Sequence, residues 1–258
     1  MFKNVRHFEK SDIGLQRRNN EDSLLIVDQH CNHYDLQKYG MFFVVADGMG
    51  GHAAGEIASK MACEEAVSAY YHDDLSQTNV DDSELKIRKL EKSIRSAHGQ
   101  IISAAREQKE LRGMGTTLSA LVLTENKALI AHIGDSRIYR YRKKTCERMT
   151  VDHTKNQDLI DSGKIQPGHE NSLYYGYILT QALGGYDDLT EVFTRVENVQ
   201  RGDVFLLCTD GLHDLVTDNE IQEILTANLT PQTTCDELVQ TATRKGGNDD
   251  ITVIVIQL

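Results

Sequence analysis

The chain has 258 residues, its acids outnumber its bases 39 to 28, and its net charge is −11. That balance argues against nucleic acid as the main ligand, because phosphate backbones reward basic surface. The five cysteines (Cys31, Cys63, Cys146, Cys208 and Cys235) contain no CxxC pair, which argues against a zinc ribbon or a disulfide framework and fits free thiols in a reducing compartment.

No apolar stretch approaches the ~20 residues of a membrane span. The opening "MFKNVRHFEKSD" is too polar for a signal peptide, so a cytoplasmic protein is expected. No linker or repeat divides the chain, and residues 1–258 are read as one β-rich domain. "SLLIV" (Ser23–Val27) and "MFFVVA" (Met41–Ala46) are short apolar runs with β-branched or aromatic content, which predicts strands. "GEIASKMACEEAVSAYY" (Gly55–Tyr71) and "SELKIRKLEKSIRSAHGQIISAAREQ" (Ser83–Gln108) repeat apolar residues near the helical period. "TTLSALVL" (Thr116–Leu123), "KALIAHIG" (Lys127–Gly134) and "RIYRYR" (Arg137–Arg142) follow with short turns between them, which predicts an antiparallel meander. Thr150 to Gly184 is mixed and polar, and is expected to be a long excursion carrying one short helix around Gln157–Ser162. "DVFLLC" (Asp203–Cys208) and "ITVIVIQL" (Ile251–Leu258) read as strands, separated by two helical patterns with Asp218 and Thr233 as N-caps. "FFVVA" and "VFLLC" are apolar at every position, so both faces of these strands should be covered. The fold expected is α+β: two packed antiparallel sheets flanked by helices on both sides, an αββα sandwich.

The acids sit where strands begin and end. Asp22 precedes "SLLIV"; Asp47 ends "FFVVA" and Asp210 ends "FLLCT", each followed by glycine; Asp249 and Asp250 open "ITVIVIQL". Strand ends of one sheet can converge on a common edge, where carboxylates would repel one another unless cations neutralised them. Oxygen-only ligands point to magnesium or manganese rather than zinc, and such ions can activate water and clamp a phosphoryl group. A single Asp-Gly is more often a turn, but an apolar run ending in Asp-Gly occurs twice here, with an acid pair entering a third strand.

With these motifs in order, the sequence resembles the metal-dependent serine/threonine protein phosphatases of type 2C, in their compact bacterial form. The resemblance spans nearly the whole chain. It rests on "SDIGLQRRNNEDS" (Ser11–Ser23), "VVADGMGGHAAGE" (Val44–Glu56), "GMGTTLSA" (Gly113–Ala120), "AHIGDSRIYRY" (Ala131–Tyr141), "MTVDHT" (Met149–Thr154), "ILTQALGG" (Ile178–Gly185), "LLCTDGLHDLV" (Leu206–Val216) and "GGNDDITVIV" (Gly246–Val255). It implies hydrolysis of phosphoserine and phosphothreonine in proteins, by a hydroxide bridging two manganese or magnesium ions, in opposition to a bacterial Ser/Thr kinase. By resemblance Asp47 bridges the two ions, the Gly48 carbonyl binds the second, and Asp210 and Asp249 complete the first. Glu21 and Asp22 hold waters behind them, and Arg17 binds the substrate phosphate, with its neighbour Arg18 as the alternative. Asp135 and Asp214, sharing Asp210, match the positions of a third, weaker ion. The stretch 150–184 corresponds to the family's flap beside the active site.

Two positions depart from the family. Animal members carry a histidine directly after "DG", where this chain has Met49; His52, three residues on, is the candidate general acid, with metal-bound water as the alternative that is favoured. Asp250 stands where the family often has asparagine, which leaves Asp249 or Asp250 as the ligand. No GxxxxGK[ST] cradle is present, which argues against a nucleotide hydrolase. No sustained heptad pattern is present, so a monomer is expected.

Overall fold

The computed structural model of the chain describes residues 5–49, 54–72, 82–167, 169, 172–185, 189 and 191–258. In chain order its elements are β1 (Arg6–Asp12), β2 (Asp22–Val27), α1 (Leu36–Tyr39), β3 (Met41–Met49), α2 (Ala54–His72), α3 (Asp82–Glu107), β4 (Gly115–Thr116), β5 (Leu118–Leu123), β6 (Lys127–Ile133), β7 (Arg137–Arg142) and β8 (Thr145–Arg148). There follow α4 (Lys155–Asp161), α5 (Ser172–Gly176), β9 (Leu183–Gly184), β10 (Phe193–Asn198), β11 (Val204–Cys208), α6 (Asp210–His213), α7 (Asp218–Thr226), α8 (Pro231–Arg244) and β12 (Ile251–Gln257).

Two antiparallel sheets carry the fold. One runs β1-β12-β11-β7-β8; the other runs β10-β6-β5-β3-β4-β9, with β2 paired to β3. The alternation of strand side chains explains the layers. Phe42, Val44 and Ala46 face α2 and α3, packing with Ala58, Ala62, Tyr70, Leu90, Ile94 and Ile101. The intervening Met41, Phe43 and Val45 face the other sheet, meeting Phe205, Leu207, Ile254 and Ile256. On the far side, Leu206, Cys208, Val253 and Val255 pack on Leu212, Ile221, Leu225, Leu238 and Val239 of α6, α7 and α8. Strands that are apolar throughout are therefore covered on both faces, and the αββα sandwich follows.

Several elements differ from expectation. β5 and β6 form the expected antiparallel pair, but β7 leaves for the other sheet, where it pairs with β11 and β8. The crossing at Gly134–Ser136 is held by a Ser136 Oγ to Thr117 Oγ1 contact of 2.6 Å, and Ser119 Oγ donates to the Ser136 carbonyl at 2.8 Å. The run from Thr116 is broken at Thr117, whose N–H bonds the Asp47 carbonyl at 2.9 Å. The N-cap of α7 is Thr217, in a capping box with Glu220, and that of α8 is Thr230, followed by Pro231. Each lies ahead of the residue expected, because a threonine hydroxyl reaches the backbone N–H three residues on. β1, β8 and β10 were not predicted. Their sequences, RHFEKSD, TCER and FTRVEN, mix polar residues throughout, as edge strands do. The excursion at 150–184 carries two short helices, α4 and α5, and is tied down where Thr154 and Leu179 form a β-bridge.

Candidate metal centre

One edge of the sandwich gathers the acids. The β2–β3 register places Asp22 opposite Asp47. β3 continues through Gly48, whose N–H donates to the Glu21 carbonyl at 3.1 Å. β11 runs into Thr209 and then Asp210, the first residue of α6. Asp249 and Asp250 enter β12 beside β11. Between these ends lies a cavity of about 270 Å³ lined by Arg17, Glu21, Asp47, Gly48, Met49, Thr117, Asp135, Tyr177, Leu179, Asp210 and Asp249. Five carboxylates and a single guanidinium thus face one space.

The backbone around the cavity is tightly set. Asp47 N–H donates to Thr117 Oγ1 at 3.0 Å, and the Asp47 carbonyl accepts from Thr116 Oγ1 at 2.8 Å. A Cβ at position 48 would lie 2.3 Å from the Gly55 carbonyl oxygen and 2.5 Å from that of Glu21. The second Asp-Gly has the same reason: a Cβ on Gly211 would lie 2.0 Å from the Asp250 carbonyl oxygen. These glycines permit close approach of backbone at the site. Thr209 Oγ1 donates to Asp22 Oδ2 at 2.8 Å, so Asp22 braces the residue before Asp210 from behind, outside the cavity lining.

Charge is poorly compensated here. Burial, and then the charges of Asp210 and Asp22, hold the Asp47 carboxyl well above its ordinary value. Burial first, with neighbouring aspartates next, does the same to Asp135. Burial also lifts Asp22 well above the usual range, against hydrogen bonds from Thr252 and Thr209 that favour its charged form. Asp210 is raised by burial and by Asp214. The charge of Asp210 is among the causes that hold Asp47 up, a repulsion that a proton or a cation could relieve. The buried oxygens Asp22 Oδ1, Asp210 Oδ1 and Asp250 Oδ1 have no partner. The orphaned Asp210 oxygen, the mutually repelling carboxyls of the lining and the close backbone at Gly48 fit hard divalent cations.

Arg17 forks onto Asp249, with Nε 2.6 Å from Oδ1 and Nη2 donating to Oδ2 at 2.6 Å. The hydrogen bond to Asp249 raises the Arg17 guanidinium further above its usual range. Among the described residues no three acidic or histidine side chains are drawn round one point, consistent with Arg17 occupying both oxygens of Asp249. An ion at Asp47 and Asp210 therefore competes with Arg17 for that carboxylate. Asp250 does not line the cavity; its Oδ2 accepts from Glu21 N–H at 2.8 Å, and burial lifts it to about 6. Arg18 is exposed and also outside the lining. Asp214 follows α6, its N–H bonding the Asp210 carbonyl at 2.9 Å, and it lines an adjoining cavity with Asp135. His52 lies outside the described residues. Thr117, Thr209 and Tyr177 belong to the site without having been singled out; "CTDG" places Thr209 beside a predicted ligand, whereas Thr117 and Tyr177 arrive from a strand end and from the 150–184 excursion through tertiary contact alone.

The protein phosphatase 2C family model matches residues 18–244. The chain belongs to the protein phosphatase 2C family. Protein phosphatase PhpP of Streptococcus pneumoniae is 32% identical over 248 residues, covering 96% of this chain and 95% of its own. The crystal structure of the Mycobacterium tuberculosis serine/threonine phosphatase PstP/Ppp is 34% identical, with a TM-score of 0.83 over 98% of each chain. The PstP catalytic domain in complex with two manganese ions superposes with a TM-score of 0.77 at 34% identity, over 98% of this chain and 97% of that one. The 2C family model begins one residue after Arg17 and ends before Asp249. The pair closing the cavity is thus placed by this chain's own geometry.

Proposed function

We propose that this chain is a metal-dependent protein phosphatase that hydrolyses phosphoserine and phosphothreonine in proteins. The observation that carries this is the Asp47–Asp210 pair, two mutually repelling carboxyls that line, with Gly48 and the guanidinium of Arg17, one acidic cavity. Membership of the 2C family and likeness to a two-manganese relative support it. Asp47 and the Gly48 carbonyl, with Asp210 and Asp249, would hold two manganese or magnesium ions, and Asp135 and Asp214 a third. When bound, such ions lower the pKa of coordinated water and neutralise charge on a phosphoryl group.

The rest of the chemistry belongs to side chains. Arg17 is placed to fork onto two phosphate oxygens, a match in shape and charge. Without ions it is engaged with Asp249, and an ion taking that carboxylate would free it for phosphate. Glu21 faces the cavity, lifted by its burial, and orients solvent there; Asp22 holds Thr209 and hence the start of α6. In this reading solvent in the cavity supplies the leaving-group proton, with His52 as the alternative donor. In this reading residues 1–258 form one catalytic domain with a flap at about 150–184, acting as a monomer against a cognate Ser/Thr kinase. Its five cysteines are free, as in a reducing cytosol, and among the described residues no helix is long and apolar enough to cross a membrane.

The test is phosphate release from a phosphothreonine peptide with manganese or magnesium, repeated with EDTA and with Asp210→Asn. Release that survives both controls refutes the metal reading. Absence of release in every condition points instead to a phosphoprotein-binding module. For His52→Ala, turnover close to wild type is expected, and a loss of about 100-fold, the scale of general acid catalysis, would return the role to His52.

A further inference from the structure

Beside the acidic cavity lies a second one of about 210 Å³, which shares Asp135 and Tyr177 with it and is also lined by Asp152, Asn156, His213 and Asp214. His213 ends α6, and its side chain is only 3% exposed. Its Nε2 lies 3.0 Å from the carbonyl oxygen of Asp135, a group that can only accept. Nε2 therefore carries a proton, and in the neutral ring Nδ1 carries the lone pair. That nitrogen is buried with no hydrogen-bond partner, in a residue that lines the cavity. Asn156 Oδ1 is a second buried acceptor there without a partner. Asp152 is already spoken for, since Arg137 donates to its Oδ1 at 3.0 Å and to its Oδ2 at 2.6 Å. Asp214 Oδ1, 3.4 Å from Nδ1, remains. Apart from Arg137, which Asp152 engages, the described lining thus presents an imidazole nitrogen and acid, amide and hydroxyl oxygens.

We propose that His213 Nδ1 and Asp214 Oδ1 bind a divalent transition-metal ion in this second cavity, with Asp135 beside it, so that the third metal position has a nitrogen ligand. The inference rests on the phosphatase reading and deepens it. Donors 3.4 Å apart can share an ion about 2.1 Å from each at a near-tetrahedral angle. An imidazole that ligates through one nitrogen characteristically donates its other N–H to a carbonyl or carboxylate, as His213 does to Asp135. Imidazole suits transition-metal ions such as zinc, iron and copper, whereas magnesium prefers oxygen alone. The third position is therefore more selective against magnesium than the two sites at Asp47.

Equilibrium dialysis of the full chain with manganese, combined with pulsed electron paramagnetic resonance, tests this. Three ions are expected, the third showing coupling to an imidazole ¹⁴N that persists in a large excess of magnesium. His213→Asn removes that coupling and weakens the third ion by about 10-fold or more, with the first two retained. Should His213→Asn fail to fold, Asp214→Asn, which leaves the His213 to Asp135 bond intact, is expected to weaken the third ion by a similar factor. A third ion without nitrogen coupling, or one unmoved by either substitution, overturns the proposal. Binding of two ions only also overturns it and leaves the phosphatase reading standing; binding of none overturns both.

Discussion

Asp210→Asn separates the charge argument from the catalytic one. Asp210 Oδ1 is buried without a partner, burial and the charges of Asp214 and Asp249 raise the carboxyl, and Asp210 in turn raises Asp47. Asparagine keeps the shape, removes one negative charge, and offers an N–H to Asp47. Each pKa unit of repulsion relieved is worth about 1.4 kcal/mol. Replacing one member of such a buried, uncompensated cluster should stabilise the metal-free protein by about 1–3 kcal/mol. In the wild type, an ion at 100 times its dissociation constant adds about 2.7 kcal/mol. For a chain of 258 residues the usual 2–4 °C per kcal/mol makes that a rise of roughly 5–10 °C per ion. The order of stabilities therefore crosses: in EDTA the variant melts above the wild type, and in saturating manganese it melts below, with phosphate release abolished. Scanning calorimetry in the two buffers, with the peptide assay alongside, measures both. A variant less stable than wild type in EDTA would refute the repulsion, and a wild type indifferent to manganese would refute the site.

The same cluster dictates a pH dependence. Asp22, Asp47, Asp210 and Asp250 bind protons more tightly folded than unfolded, where the ordinary value is 3.8. Their effect is to destabilise the metal-free protein as pH rises above that value, the share of Asp250 being complete near its folded value of about 6. Protons and manganese compete, so the manganese-induced rise in melting temperature should grow between about pH 5 and 8; a flat or falling increment would count against it. Arg17→Ala should lower kcat/KM by about 10- to 100-fold, the worth of a charged hydrogen-bonded contact. It should change stability by less than about 1 kcal/mol, because the Arg17–Asp249 pair is partly exposed. Arg18→Ala should leave kinetics near wild type, and the opposite pattern would move the phosphate contact to Arg18. Gly48→Ala, whose Cβ would meet two carbonyl oxygens, should destabilise by about 1–3 kcal/mol and lower kcat by about 100-fold through displaced geometry. Unaltered melting and turnover would show that the carbonyl is not held where the reaction needs it.

What could be read in the sequence follows from how local each signal is. Phe42 to Val45 are legible as a strand covered twice because alternate side chains enter two different cores. β10, with alternate residues open to solvent, offers no such run. The move of β7 to the other sheet had no local mark: Gly134-Asp135-Ser136 reads as a hairpin turn, and only its contacts with Thr117 and Ser119 carry the chain across. Asp47, Asp210 and Asp249 were visible as acids at strand ends, since the strands themselves were. The resemblance, not the pattern, supplied Arg17 and Gly48. His213 gave no signal at all, because what marks it is a carbonyl 78 residues away in sequence.

The crossing of β7 also bears on how the site works. The turn that carries the chain between sheets delivers Asp135 to the rim of both cavities, while its neighbour Ser136 is bonded to Thr117, which in turn accepts from Asp47 N–H. Asp135 and Asp47 are thus fixed to one another through two buried hydroxyls rather than through a flexible loop. Carboxylates that repel can be kept close only by a scaffold that resists their separation. Here that scaffold is the pair of sheets, and the repulsion it holds in place becomes affinity for cations.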